Sequence, residues 1–417
     1  MWLGDFASMY PSTLSQDRGC ASRIMSDETT PQHCLCASPF RVAVVVKHYG
    51  LNRSQPILLL LDFLQRKGWL VTLVLQNAGE IPRRVRDNVR VIAIPESYFG
   101  KAWEALALRA TLFDLAIAFD PHGFSVARKY VRAKALIYYS LELYMTAFNP
   151  SSYPDTLAQF ERRHINSIAG LIIQSAERRK IFAAEYGLND GIPTFVLPVC
   201  AKPTGRVDSP RALGPKGPRR MIHLGGITAE QGIPRFCEVM NRVHGWELVV
   251  HGHSFGATMF KLKNRLDGFY AGYYRNTRLT ESYFETPDQA EQVCADMDVG
   301  LAWFEGGLSP NFDTAALSSG KIATYLKLGL PLIVNRVGSF VDVLESAGCA
   351  VALSAPEELP NALKHIEENY RQMSEAAIHL FSTTYDFSNY ENDLAAFLGR
   401  AVYRTVSEKT PERVAEA

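Results

Sequence analysis

From Phe40 onward the apolar positions fall in short unbroken runs rather than in alternation. "RVAVVV" at 41–46, "WLVTLVL" at 69–75, "VRVIAI" at 89–94, "DLAIAF" at 114–119, "ALIYYS" at 135–140 and "GLIIQS" at 170–175 are rich in β-branched and aliphatic residues. Charged stretches of helical period, such as "PILLLLDFLQRKG" at 56–68, separate most of them. Continuous apolar strands alternating with helices predict a parallel sheet covered on both faces. The pattern breaks at 198–220, where five prolines in 23 residues exclude regular structure and predict a fairly stiff linker. It then restarts. "MIHLGGI" at 221–227, "WELVVHG" at 246–252, "FYAGYY" at 269–274, "VGLAWF" at 299–304, "PLIVN" at 331–335 and "AVALS" at 350–354 read as strands. A helix is predicted at 234–245, and two long ones at 356–381 and 389–406.

The expected fold is therefore α/β, with two doubly wound, Rossmann-like halves facing a cleft. Residues 1–38, rich in Ser, Thr, Asp and Pro without periodicity, read as a poorly ordered extension. The expected boundaries are 39–200 for the first domain, 201–384 for the second, and 385–417 for a C-terminal helix. Ligands bind outside the carboxyl ends of strands in such sheets, so the cleft between the halves is the place to look for a site.

Bulk properties narrow the choice of chemistry. A net charge of +1 over 417 residues argues against nucleic-acid binding driven by an overall basic field. No run of 18 apolar residues occurs, so no conventional transmembrane helix is expected, although peripheral membrane contact stays open. Seven scattered cysteines read as reduced thiols in a cytoplasm. His33, Cys34 and Cys36 are the only dense Cys/His group, and no second cluster completes a zinc site.

Five loops hold candidate polar groups. "SSGKIATYLKLG" at 318–329 places Ser318, Ser319, Gly320 and Lys321 at a helix start, where free N–H groups, the helix dipole and a cation suit a phosphate. An ordinary capped helix with a solvated lysine has the same pattern. Ile322, Tyr325 and Leu326 share one face of it, and Lys321 with Thr324 the other. Gly225 and Gly226 form a turn that backbone or ligand could approach closely, with Thr228 available to cap the next helix. His251, Gly252 and His253 end the following strand as a polar loop; metal is conceivable there, but no third ligand is evident. In the first half, Asp120 and His122 follow a buried strand as an Asp-Pro-His-Gly turn, and Glu142 follows the next strand.

These pieces together resemble the retaining GT-B glycosyltransferases, and the resemblance covers roughly residues 40 to 400. "HLGGITAEQGI" is similar to the family's "GR-x-x-x-x-KG" segment, and "SGKIATYLKLGLPLIV" to its "NKLFEYLAAGLPVI" segment, with Lys321, Tyr325, Gly329 and Pro331 matching. "LIIQSAERRKIFAAEYGL" followed by "PTFVLP" resembles the end of the family's first domain. The resemblance implies transfer of a sugar, with retention, from a nucleoside-diphosphate donor, UDP- or GDP-linked, to an acceptor hydroxyl. It implies no cofactor and no metal, because a cation at a helix start can offset the leaving charge. It maps the family's first-domain histidine onto His122, and places Glu305 in the sugar pocket and His48 and Gly50 in the cleft. The departures are Gly226 and Gln231 where the family has arginine and lysine, and Ala316 and Thr324 where it often has paired glutamates. An epimerase of the same fold, or a non-catalytic nucleotide-sugar binder, would share these features.

Overall fold

The computed structural model describes residues 39–46, 54–75, 87–94, 98–145, 155–202, 210–213, 218–227, 231–253, 272–281 and 286–407, together with residues 85, 263 and 284. The side chains of 98–103, 253, 281 and 405–407 lie outside that description. The strands of the first half are β1 (Arg41–Val46), β2 (Leu70–Leu75), β3 (Arg90–Ala93), β4 (Leu112–Phe119), β5 (Arg132–Tyr139), β6 (Gly170–Ile173) and β7 (Thr194–Val196). They form one parallel sheet in the order β3-β2-β1-β4-β5-β6-β7. The second half contributes β8 (Arg219–Gly226), β9 (Trp246–His253), β10 (Thr277–Glu281), β11 (Val299–Ala302), β12 (Leu332–Asn335) and β13 (Ala350–Leu353). Its order is β10-β9-β8-β11-β12-β13, again all parallel. Strand order reverses between β1 and β4 and between β8 and β11, and such switch points open crevices at the strand carboxyl ends.

Among the described residues the helices are α1 (Gln55–Arg66), α2 (Tyr98–Ala110), α3 (Asp120–Tyr130), α4 (Asp155–His164), α5 (Ala176–Tyr186), α6 (Ile233–Met240), α7 (Pro287–Cys294), α8 (Pro310–Asp313), α9 (Gly320–Lys327), α10 (Leu359–Leu380) and α11 (Glu391–Ser407), besides a single α turn at Gly338–Phe340 and short 3-10 and π segments. The unbroken apolar runs have their physical cause here. Val42, Val44, Leu115 and Ile137 pack on one face of the first sheet, and Ala43, Val45, Ala116 and Tyr138 on the other. Helix α11 lies on the first of these faces through Leu394, Phe397 and Leu398, and Glu391 takes a two-pronged bond from Arg66 at 2.6 and 2.9 Å. Where the chain passes between halves, Ala201 donates to Tyr385 at 2.9 Å and accepts from Phe387 at 3.1 Å, so the two connections run side by side.

Two expectations are corrected. The "FYAGYY" strand is not seen: residues 269–271 lie outside the described residues, and 272–274 form a turn with Gly272 at φ 81°. Tyr274 is apolar filling for that turn, buried at the core edge, while the edge strand is the alternating "TRLTE" of β10. Asp120 and His122 do not sit on a turn but open helix α3, with Pro121 at its first turn where no N–H is missed. Gly123 lets that helix start against β1, because a Cβ there would lie 2.7 Å from the carbonyl oxygen of Val45. The capping expected of Thr228 lies outside the described residues; α6 starts at Ile233 behind Gly232 in a left-handed conformation.

The 318–334 stretch builds a helix and its stop. Tyr325 lies beneath β8, its hydroxyl accepting from the Leu224 N–H at 2.9 Å and donating to the Ile222 carbonyl at 3.2 Å. Gly300 makes room for that ring; a Cβ there would meet it at 2.4 Å. Gly329, at φ 66°, ends the helix, and the Leu330 N–H folds back to the Tyr325 carbonyl at 3.0 Å before Pro331 starts the extended run.

Candidate functional site

A cavity of about 460 Å³ opens between the two halves at the strand ends. The first half contributes Gln55 at the start of α1, Leu141 and Glu142 after β5, and Val199. The second contributes Gly225, Phe304, Phe312, Ser319, Lys321 and Thr324. The halves come close at Gly320, where a Cβ would lie 3.8 Å from Gln55 Oε1 and 3.9 Å from Val199.

Lys321 is the polar centre of the second-half wall. Its stem is partly open to the cavity, but Nζ is enclosed and has no hydrogen-bond partner among the described residues. The ammonium stands 4.7 Å from the Phe304 ring centre, and burial brings its pKa down to about 7. Ser319 and Gly320 precede it at the start of α9, and no side chain caps that helix. Uncapped N–H groups beside an unpaired cation form a place where an anion would be stabilised. Thr324 is buried and turns its hydroxyl onto its own helix, donating to the Gly320 carbonyl at 3.0 Å while lining the cavity. Ala316 is wholly buried, so the second substituted position presents nothing to the cavity.

Gly225 has φ 107°, and a Cβ there would lie 4.0 Å from the end of the Lys321 side chain. Its carbonyl turns onto Gly252 in β9, where a Cβ would fall 1.7 Å from the oxygen. Gly226 ends β8, its carbonyl bonded to His223 Nε2 at 3.0 Å. His223 is fully enclosed, and burial together with the neighbouring Lys321 pushes its pKa down to about 3. His251 is buried and stacks on Phe284, a cavity residue, at 4.6 Å and 19°; neither ring nitrogen has a partner among the described residues. Burial and, less strongly, Arg278 lower its pKa. The His253 side chain lies outside the described residues. Glu305 does not line the cavity: it accepts from Trp303 Nε1 at 3.1 Å and lies over Gly232.

On the first-half side, Asp120 accepts from the Leu141 N–H at 2.8 Å and the Glu142 N–H at 3.2 Å, and so shapes the loop after β5. Its own backbone is left-handed at φ 55°. Burial raises its pKa to about 7, against the pull of those N–H groups. Glu142 projects into the cavity with its side chain 57 % exposed. Enclosure by the cleft walls raises its pKa, opposed by the Arg178 guanidinium at 4.0 Å. His122 lies beside Tyr144, ring centres 6.2 Å apart, and does not line the cavity. His48 and Gly50, with Lys47 and Arg53, lie outside the described residues.

Sequence reasoning missed two residues. Arg178, beneath the cavity, and Asn311, which lines it, bind the halves together. Arg178 is fully buried on α5, on the same face as Phe182 and Tyr186 four and eight residues on. A cation beginning a buried stripe is the signal that could have found it. Asn311, on α8, grips the Leu143 backbone, accepting its N–H at 2.8 Å and donating to its carbonyl at 3.0 Å. The metal-free expectation also passes over one Asp-x-Asp triplet, Asp296-Met297-Asp298. It precedes β11, at the strand end away from the cavity, where Asp298 accepts from the Arg220 N–H at 2.7 Å. Among the described residues no group of three or more metal-ligating side chains is assembled.

No family model and no curated protein matches the chain. Solved structures do. HepE from Anabaena, in complex with UDP-glucose, superposes with TM-score 0.64 at 13% identity, covering 87% of this chain and 100% of that one. Sucrose-phosphate synthase from Thermosynechococcus elongatus gives 0.61 at 13%, covering 89% and 100%. WaaG, a glycosyltransferase involved in lipopolysaccharide biosynthesis, gives 0.59 at 15%, covering 86% and 99%. With two parallel-sheet α/β domains and neighbours of this kind, the chain has the GT-B fold of glycosyltransferases.

Proposed function

We propose that the protein is a retaining glycosyltransferase that moves a hexose from a UDP- or GDP-linked donor to an acceptor hydroxyl without a metal. The observation that carries this reading is Lys321: an enclosed, unpartnered amine beside an uncapped helix start, in a cavity walled by both domains. In the transfer, the bond from the sugar's anomeric carbon to the diphosphate oxygen breaks and a bond to the acceptor oxygen forms. The acceptor proton leaves with the diphosphate. Negative charge grows on that leaving group, and preformed N–H donors with a cation stabilise it without reorganisation. On the opposite wall, Glu142 faces the space an acceptor hydroxyl would occupy. Closure of the two halves over both substrates excludes water. The UDP-glucose held by HepE supports a donor of this class. A cytoplasmic site of action, expected from the pattern of thiols, belongs to the same proposal.

A thermal-shift panel of nucleoside diphosphates and their sugars tests the donor assignment. A ligand that binds the folded state raises apparent stability with concentration, by about 2.7 kcal/mol at a hundred times Kd. A shift with UDP-glucose or a GDP-sugar that vanishes in Lys321→Met is expected; none across the panel overturns the reading. The alternative of a non-catalytic binder is favoured by Ala316 and Thr324 standing at the paired-glutamate positions. It predicts donor-dependent shifts without release of nucleoside diphosphate in the presence of any acceptor.

A further inference from the structure

Arg178 belongs to the first half, yet most of its hydrogen-bonding capacity serves the two walls of the cavity. Nη1 donates to Ser318 Oγ at 2.7 Å, and Nη2 donates to Asn311 Oδ1 at 2.8 Å and to the Leu141 carbonyl at 3.0 Å. Ser318 passes the restraint on by donating to the Thr314 carbonyl at 3.2 Å, and it stands immediately before Ser319, the N-cap residue of α9. Leu141 and Leu143 flank Glu142. The first is held by Asp120 and Arg178, the second by Asn311. One planar guanidinium therefore fixes both the helix start that carries Lys321 and the loop that carries Glu142. Burying a guanidinium completely is costly unless its donors are used; here both Nη groups are used, to Ser318 and Asn311 across the domain boundary and to Leu141 within the first half, while Nε has no partner among the described residues.

Resting on the glycosyltransferase reading, we propose that Arg178 is a positioning residue for the transfer reaction. Its fork, through Ser318 and Asn311, sets the donor-side helix start and the acceptor-side carboxylate in register across the cleft. Arg178 touches neither substrate. The register it sets exists only when the halves are docked, so the active arrangement of Lys321 and Glu142 is assembled by closure rather than carried by either half alone. Lysine cannot replace it, because a single ammonium does not reach Ser318 and Asn311 in the fork geometry.

The test combines calorimetric donor affinity with steady-state release of nucleoside diphosphate, using UDP-glucose and GDP-mannose as probes. Ser318→Ala is expected to weaken donor binding about tenfold with little change in kcat. Asn311→Ala is expected to lower kcat about tenfold with donor affinity unchanged. Arg178→Lys should show both defects at once, and Arg178→Lys combined with Ser318→Ala should bind donor no more weakly than Arg178→Lys alone, the signature of a shared interaction. A purely structural arginine would lower the melting temperature while leaving donor affinity and kcat of the folded fraction at wild-type values; that result overturns the proposal, as does strict additivity of Arg178 with Ser318. Should Arg178→Lys fail to fold, the split between Ser318→Ala and Asn311→Ala decides alone, and identical effects of those two overturn it. Failure of the donor reading looks different, since the unmodified protein would then bind neither probe.

Discussion

The ammonium of Lys321 stands 4.7 Å over the ring of Phe304, enclosed and without a hydrogen-bond acceptor among the described residues. Burial lowers its pKa to about 7 from the ordinary 10.5, so it is half neutral near pH 7 in the unliganded protein. A bound diphosphate favours the charged form, so binding takes up a proton above that pH. Donor affinity is therefore expected to fall as pH rises above about 7, by at most about tenfold per unit. Calorimetry with UDP-glucose, which does not titrate in this range, would measure it; a flat profile from pH 6 to 9 refutes the assignment.

The same group affects unliganded stability with a definite sign. Between about pH 7 and 10.5 the unfolded chain holds a proton on Lys321 that the folded chain has released, so its contribution to stability rises with pH through that window. Lys321→Met should remove this dependence. Since it replaces an enclosed, unpaired amine by an apolar chain of similar length, the melting temperature should stay level or rise, while turnover falls about a hundredfold. Equal loss of stability and turnover would mean that Lys321 is a packing residue.

Glu142 and His122 compete for the acceptor-side role. Glu142 lines the cavity and His122 does not. Glu142→Gln is expected to lower kcat at least about tenfold with donor affinity intact. His122→Ala should lower kcat less, through the packing of Tyr144, again without changing donor affinity. A larger loss at His122 would move the acceptor subsite away from the loop after β5.

Gly252 offers a stability test free of chemistry. A methyl group there would overlap the Gly225 carbonyl, which β8 cannot move without disturbing the turn beside Lys321. Gly252→Ala should cost at least about 2–3 kcal/mol in denaturant unfolding. A cost under about 0.5 kcal/mol would show that the two strand ends part easily.

Tyr325→Phe removes a hydroxyl that serves the Leu224 N–H and the Ile222 carbonyl together. Leaving buried backbone groups unpaired should cost about 1–3 kcal/mol. Donor affinity should then fall only in proportion to any loosening of α9, which calorimetry on the folded variant would show.

Strand positions were legible because burial on both faces leaves an unambiguous mark: unbroken runs such as Val42–Val46 and Leu171–Ile173 have no other simple use. Strand β10 was missed because an edge strand alternates and carries polar residues like a loop. The aromatic "FYAGYY" misled because Tyr274 is buried in a turn rather than in a ladder. His122 was misplaced for a related reason. Asp-Pro-His-Gly reads as a turn unless Gly123 is known to press on Val45, which makes those residues the first turn of a helix.

By itself the sequence determined the two parallel-sheet halves, the helix start at Ser319–Lys321 and its stop at Gly329-Leu330-Pro331, since each follows from local periodicity, propensity and backbone freedom. Only the tertiary structure decided that Lys321 is enclosed and unpaired, that Glu305 is occupied by Trp303, and that Arg178 spans the domain boundary to Ser318 and Asn311. The reason is physical: burial and pairing are properties of contacts between residues far apart in the chain, 140 positions for Arg178 and Ser318, and no local pattern encodes which distant group will meet a given side chain.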